Sequence, residues 1–226
     1  SLGQNFLVDD NIARNIVRDL QLAPEDVVIE IGPGQGALTK HLDGKAHHVV
    51  AIEIDQRVIE SLKKLFPSTS IEILHEDFLE TPLEALFRRF HRRLRVVGNI
   101  PYHLTTPILF KVFEEHAAVR DLTIMIQREV ARRIVASPGT KAYGILSVFA
   151  RFYGVPEILF NVSPQCFYPK PKVTSSLLRV ALHEDIPYTV DAKLFSKIVR
   201  TTFGKRRKIL RNSLQYLDYN PAVIGQ

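Results

Sequence analysis

Val27-Val28-Ile29-Glu30-Ile31-Gly32-Pro33-Gly34-Gln35-Gly36-Ala37-Leu38 decides the fold. Four of the first five residues are β-branched, as a short buried strand requires, and three glycines follow within five positions. Glycines at a strand-to-helix turn let the backbone approach a ligand, and the helix that follows presents unpaired N–H groups. Outward from this point, apolar runs alternate with helical patterns. Strand-like runs occupy 27–31, 49–54, 71–74, 95–98 and 122–126, and helical patterns occupy 12–20, 37–42, 57–65, 83–90 and 108–113. Continuous apolar strands separated by helices predict a parallel sheet covered on both faces. Residues 130–136 and 145–153 add two helices, and 156–162 and 175–182 add two strands close together in sequence. A helix normally separates parallel neighbours, so this late pair is expected to be antiparallel. The expectation is an α/β, Rossmann-like fold: a mostly parallel seven-stranded sheet whose last strand is antiparallel.

The 226 residues, 46% of them apolar, suffice for one sizeable core with a small appended unit. No apolar run approaches the roughly 20 residues that span a bilayer. Ser1-Leu2-Gly3-Gln4-Asn5 contains no basic stretch followed by an apolar one, so no secretory signal is expected. The chain starts without Met, and its last helical pattern runs into Pro221 without a cap, so both ends are expected to continue. Cys166 is the only cysteine. It can form no internal disulfide, and no Cys/His cluster has zinc-ligand spacing, so a metal-free protein of a reducing, cytoplasmic compartment is expected.

Net charge is +6 and is unevenly placed. Residues 1–173 carry 21 Lys+Arg against 20 Asp+Glu, whereas 174–226 carry 9 against 4. Arg88, Arg89, Arg92, Arg93 and Arg95 also fall within eight positions. Such patches favour a polyanionic partner, although a solvated basic face has the same composition. Beyond residue 183 the pattern changes: 192–203 and 206–217 read as basic helices with no strand between them. Residues 1–182 are therefore expected to form the catalytic domain, and 183–226 the beginning of a helical RNA-binding domain.

The second strand ends in Glu53, 21 positions after Gly32. An acidic side chain there can accept hydrogen bonds from both ribose hydroxyls of an adenosine. These features alone do not choose a cofactor, because Gly32-Pro33-Gly34-Gln35-Gly36-Ala37 also fits the loose dinucleotide pattern, and a packing turn would use the same glycines. The third strand is followed by Glu76-Asp77-Phe78. A carboxylate at 77 could hold an adenine amino group with Phe78 against the ring, or could simply cap a helix.

Asn99-Ile100-Pro101-Tyr102 ends the fourth strand and is more specific. The lone pair of an adenine N6 is delocalised into the ring and is a poor nucleophile. The Asn99 side-chain oxygen and a backbone carbonyl of this turn could bind its two protons and localise the lone pair. Pro101 stiffens the turn. Tyr102 can stack on a base taken out of its own stack.

With these residues in view, the chain resembles the ribosomal RNA adenine dimethyltransferases, most closely the small-subunit branch. The resemblance covers nearly the whole chain. It includes Gly3-Gln4-Asn5-Phe6-Leu7, Glu30 to Gly34, Glu53-Ile54-Asp55, Glu76-Asp77, Gly98 to Tyr102, Gln127 to Val130, Lys141 to Gly144, Phe167-Tyr168-Pro169-Lys170-Pro171-Lys172-Val173 and Arg206-Arg207-Lys208. It implies the class I S-adenosylmethionine-dependent methyltransferase fold, and that compound as cofactor. It implies that Asn5 and Leu7 close over the cofactor and that Gly32, Gly34, Glu53, Ile54, Asp77, Phe78 and Asn99 line its pocket. It further implies that Asn99, Pro101 and Tyr102 face the target adenine and that Phe167 helps hold the flipped base. The activity implied is two successive transfers to each of two adjacent adenosines near the 3′ end of small-subunit RNA, within a partly assembled particle and by a monomer.

Thr106 to Phe110 and Lys141 to Val148 look more like the small-subunit branch than the antibiotic-resistance branch, which acts on large-subunit RNA. Ile100 departs from the Leu often found there in the small-subunit enzymes. The basic tail, Lys205, Arg206, Arg207, Lys208 and Arg211, is expected to contact RNA phosphates without reading sequence. Two alternatives compete. A nicotinamide-dependent oxidoreductase explains the glycines and Glu53 but gives Asn99 to Tyr102 no role. A non-catalytic assembly or transcription factor on the same fold has no need of that motif.

Overall fold

The computed structural model describes residues 5–67 and 69–204. In chain order the elements are β1 (Phe6–Leu7), α1 (Asp10–Leu20), β2 (Val27–Ile31), α2 (Thr39–Leu42), β3 (His48–Glu53), α3 (Gln56–Leu65), β4 (Ile71–His75) and α4 (Leu83–Phe90). They continue as β5 (Leu94–Asn99), α5 (Thr105–Glu114), β6 (Val119–Gln127), α6 (Arg128–Val135), α7 (Ile145–Tyr153), β7 (Gly154–Val162), β8 (Phe167–Tyr168), β9 (Ser175–Leu182) and α8 (Ala192–Gly204). Seven strands form one sheet in the order β4-β3-β2-β5-β6-β9-β7. β2 to β6 pair in parallel, and β9 inserts antiparallel between β6 and β7. This is the expected α/β sheet with its last strand reversed.

The unbroken apolar runs have a direct cause. Successive side chains of a strand point to opposite faces. Val27, Ile29 and Ile31 join one core cluster with Val50, Ile52, Val96 and Ile124, whereas Val28 joins another with Val49, Val97 and Met125. Both faces are dry, so every position of β2 is buried. Helices provide the cover. Asp9 caps α1, its carboxylate accepting from the N–H groups of Asn11 at 2.9 Å and Ile12 at 3.2 Å. The buried face is Ala13, Ile16, Val17 and Leu20, at helical spacing, and the last three contribute about 1.5–3 kcal/mol each by leaving water. Gln21, with φ at 52°, ends the helix in the left-handed conformation.

α8 packs on α7. Phe195 stacks on Phe152 with ring centroids 3.9 Å apart, and Val199 is buried in the same cluster as the sheet. The Arg200 guanidinium sits 4.3 Å from the Phe110 ring centroid. The basic tail at 205–208 and 211, and the helical pattern at 206–217, lie outside the described residues. Among the described residues no helix is long and apolar enough to cross a membrane.

Two features depart from the sequence reading. The first is a separate two-stranded sheet in which β1 pairs antiparallel with β8. The second concerns the arginines at 88–95, which divide: Arg93 and Arg95 are absorbed by the fold, whereas Arg88, Arg89 and Arg92 stay exposed. Arg95 is 2% exposed. It donates to Asp121 at 3.0 Å, to Asp26 at 2.8 Å, and to the carbonyls of Gln21 and Leu20. Arg93 donates to the carbonyls of Val119 at 2.6 Å and His183 at 3.1 Å. Arg88 pairs with Glu84 and Arg89 with Glu72. A guanidinium offers five donors in a fixed fork, and the amino ends of the strands present the carboxylates and carbonyls to fill it. The Arg88 and Arg89 pairs are at the surface, and Arg88, Arg89 and Arg92 together keep an exposed basic stretch.

Candidate active site at the carboxyl ends of the strands

β2 and β5 are neighbours whose chain connections leave toward opposite edges of the sheet. The crevice outside the carboxyl ends of such a pair is where open α/β sheets bind ligands. Ile31 is level with Gly98, so Gly32 and Asn99 emerge side by side. Gly98 allows this approach, since a Cβ there would come within 2.9 Å of the Ile31 carbonyl oxygen. Gly34 turns with φ at 56°, and the ring of Phe6 lies over it, 3.2 Å from where a Cβ would stand.

Two hollows meet here. One is bounded by Asn5, Phe6, Leu7, Glu30, Gly32, Pro33, Gly34, Gln35 and Asn99. The other, of about 210 Å³, is bounded by Gly32, Glu53, Ile54, Asp77, Phe78, Asn99, Pro101, His103 and Leu104. Gly32 and Asn99 border both. Every residue expected to hold the cofactor therefore lines one hollow or the other, and Pro101 lines the second. Tyr102 and Phe167 line neither.

Glu53, 2% exposed, is fixed by backbone donors. Its Oε1 accepts from the N–H groups of Ile54 and Asp55, each at 3.0 Å, and Oε2 accepts a longer bond from Gly34 at 3.3 Å. Asp77 Oδ1 accepts from the Leu79 N–H at 2.9 Å, so this carboxylate does cap a turn while lying at the wall of the cleft. Phe78 is buried in the core cluster, and Ile54 is about half exposed. Glu30 received no role from its sequence. It is 1% exposed, and its Oε2 accepts from Thr39 Oγ1 at 2.7 Å. Burial pushes its carboxyl up to about 7, the Thr39 hydrogen bonds pull it back, and the nearby Glu53 charge adds to the rise. The available signal was a lone carboxylate inside an otherwise apolar strand.

Asn99 Nδ2 donates to the Asn5 carbonyl at 2.9 Å, which leaves Oδ1 to act as an acceptor. Pro101, with φ at −58°, leads into a 3₁₀ turn at Tyr102–Leu104. The Tyr102 hydroxyl shares a 2.7 Å hydrogen bond with Ser175 Oγ, a partner that no sequence pattern announced. Phe167 is 4% exposed and belongs to the cluster that contains Leu7. It is level with Leu7 in the β1–β8 pair, beside the N-terminal segment.

A model of the family described as ribosomal RNA adenine dimethylase matches residues 1–223. A ribosomal RNA small subunit methyltransferase A of Caldanaerobacter subterraneus subsp. tengcongensis is 43% identical over 228 residues, covering 99% of this chain and 85% of that protein. The protein of that name in Protochlamydia amoebophila is 44% identical over 228 residues, covering 99% and 80%. Among solved structures, a dimethyladenosine transferase from Plasmodium falciparum superposes with a TM-score of 0.82 at 27% identity, covering 93% of this chain and 74% of that one. The 23S rRNA methyltransferase ErmE superposes with a TM-score of 0.77 at 28% identity, covering 96% and 86%.

Proposed function

The chain belongs to the ribosomal RNA adenine dimethylase family, and from that premise we propose that it dimethylates the N6 amino groups of two adjacent adenosines near the 3′ end of small-subunit ribosomal RNA, with S-adenosylmethionine as donor. The observation that carries this reading is the place of Asn99, at the junction of the two hollows. The residues fit an elongated donor. Gly32 and Gly34, under Asn5 and Leu7, would hold its amino-acid end. Glu53, Ile54, Asp77 and Phe78 would hold its adenosine, Glu53 offering an already immobilised carboxylate to the ribose hydroxyls. Bound there, the donor supplies a methyl group on a positively charged sulfur, which is a strong electrophile without further activation.

The protein's share of the chemistry is to position and activate the amino group. Asn99 Oδ1 accepts one N6 proton, its orientation set by the bond from Nδ2 to Asn5. A carbonyl of the turn at 99–101 accepts the other. Two acceptors draw the nitrogen toward tetrahedral geometry and localise its lone pair, and holding these groups ready replaces much of the entropic cost of the encounter. Pro101 stiffens the turn, and Tyr102, anchored on Ser175, offers its ring to the extruded base. The N6 cation formed is strongly acidic, so no dedicated base is required. Lys205, Arg206, Arg207, Lys208 and Arg211, outside the described residues, are proposed to hold RNA phosphates. The proposed substrate form is a partly assembled small subunit, and the proposed active form is a monomer. Relatives at 43–44% identity named for the small subunit support that branch over the large-subunit one.

The test uses methyl-labelled S-adenosylmethionine and small subunits lacking the modification, followed by digestion of the RNA to nucleosides. Label in N6,N6-dimethyladenosine of small-subunit RNA is expected. Label confined to large-subunit RNA would move the protein to the resistance branch. Cofactor binding without transfer to either RNA would favour an assembly factor.

A further inference from the structure

Tyr168 is 73% exposed, an aromatic ring that folding leaves in solvent. Its neighbours Phe167 and Pro171 are buried, while Lys170, Lys172 and Val173 are exposed. The segment is tied to the catalytic motif at both ends. At one end, Tyr168 is level with Phe6, and the residue before Phe6, Asn5, receives the hydrogen bond from Asn99. At the other end, Ser175 Oγ is bonded to the Tyr102 hydroxyl, and the Thr174 carbonyl accepts from the Arg128 N–H at 3.0 Å. Residues 168–174 therefore form a lip beside Asn99 and Tyr102. Pro169 and Pro171 restrict its backbone, so the lip is held in shape before any ligand arrives. Among the described residues, no carboxylate pairs with Lys170 or Lys172.

We propose that Tyr168, Lys170 and Lys172 form a second RNA subsite, in which the Tyr168 ring stacks on the base next to the target adenosine and the two ammonium groups hold the adjoining phosphates. The inference rests on the proposed reaction with RNA. Extruding an adenosine leaves its neighbour with an uncovered face, and exposed aromatic rings are what proteins use to cover such faces in single-stranded RNA. Stacking accepts any base, and lysine reads charge without sequence. The subsite thus supplies affinity and register, and leaves the choice of base to the cleft. It is distinct from the role given to Phe167, whose ring is covered.

The experiment compares Tyr168→Ala, Tyr168→Phe and the double variant Lys170→Gln/Lys172→Gln in the full chain, with unmodified small subunits as probe. KM for subunits is measured alongside the affinity for S-adenosylhomocysteine. Tyr168→Ala is expected to raise KM roughly 5- to 100-fold, the range for loss of one base–aromatic stack, with affinity for S-adenosylhomocysteine retained. Tyr168→Phe, which keeps the ring, stays within about twofold. The lysine variant lowers the slope of log affinity against log salt by roughly 1.4. A KM within about twofold of wild type for Tyr168→Ala overturns the subsite. So does an equal loss in Tyr168→Phe, which would assign the effect to the hydroxyl, or a loss of S-adenosylhomocysteine affinity, which would assign it to the β1–β8 pair. Wild-type protein that methylates no RNA counts against the proposed reaction instead. The variants are then compared by co-sedimentation with the same subunits, where equal binding of Tyr168→Ala and wild type overturns the lip independently.

Discussion

Replacing Asn99 with alanine separates catalysis from folding. The side chain is half-buried and makes one hydrogen bond, 2.9 Å to the Asn5 carbonyl. Losing it costs about 0.5–1.5 kcal/mol of stability. In a chain of this length each kcal/mol lowers Tm by about 2–4 °C, so a small shift is expected. The effect on turnover is far larger. Removing one fixed hydrogen-bonding group from a site where charge develops typically lowers kcat by about 10²–10³. Asn99→Asp refines the test, because it keeps an acceptor in place but can no longer donate to Asn5. It should fall between wild type and Asn99→Ala in kcat and should bind S-adenosylhomocysteine more weakly than wild type. The assay is single-turnover methyl transfer with saturating donor, paired with a melting curve. A kcat for Asn99→Ala within threefold of wild type would refute the acceptor role. A drop in Tm beyond about 10 °C would show that the residue holds the fold more than the reasoning from one hydrogen bond allows.

Three further outcomes are expected. Glu53→Ala should weaken S-adenosylhomocysteine binding by about 1–3 kcal/mol in calorimetry, and unchanged affinity would remove Glu53 from the ribose site. Glu30 is raised by burial to about 7, so the native state holds its proton more tightly than the unfolded chain; this makes stability fall as pH rises from the unfolded value of 4.5 toward 7. Glu30→Gln should therefore gain on wild type by up to about 3 kcal/mol between pH 4.5 and 8 in denaturant titrations, whereas an advantage independent of pH would contradict the assignment. Asp121→Ala should destabilise the protein by about 3–5 kcal/mol, because it strips one of two carboxylates from a buried guanidinium; a loss below 1 kcal/mol would show that Asp26 alone satisfies Arg95.

The sheet was legible because a parallel strand covered on both faces must be mostly apolar, and β2, β3 and β5 are written that way apart from a few buried charges such as Glu30 and Arg95. The ends of those strands were legible because the turn at Gly32–Gly36 needs glycine and the turn after Asn99 carries proline. What escaped the sequence depends on partners distant along the chain. β1 and β8 are two residues each, too short for any period to show. Their pairing sets Phe167 against Leu7 and buries it, a contact between residues 160 positions apart. Ser175 looks like any strand serine until Tyr102, 73 positions away, is placed beside it. Arg95 misled for a related reason: charge along the chain says nothing of the carboxylates that folding brings to meet it, as Asp26 and Asp121 do here.

Arg95 and Asn99 stand four residues apart on one strand, about 13 Å at the rise of an extended chain. Arg95 clamps β5 to β6 and to the end of α1 at one pole, while Asn99 faces the cleft at the other. Substitutions separated by that distance and sharing no partner combine additively to within about 0.5 kcal/mol. The molecule can therefore accumulate stabilising changes around its charged pole and specificity changes around its cleft as two independent lineages, and merge them without renegotiating either.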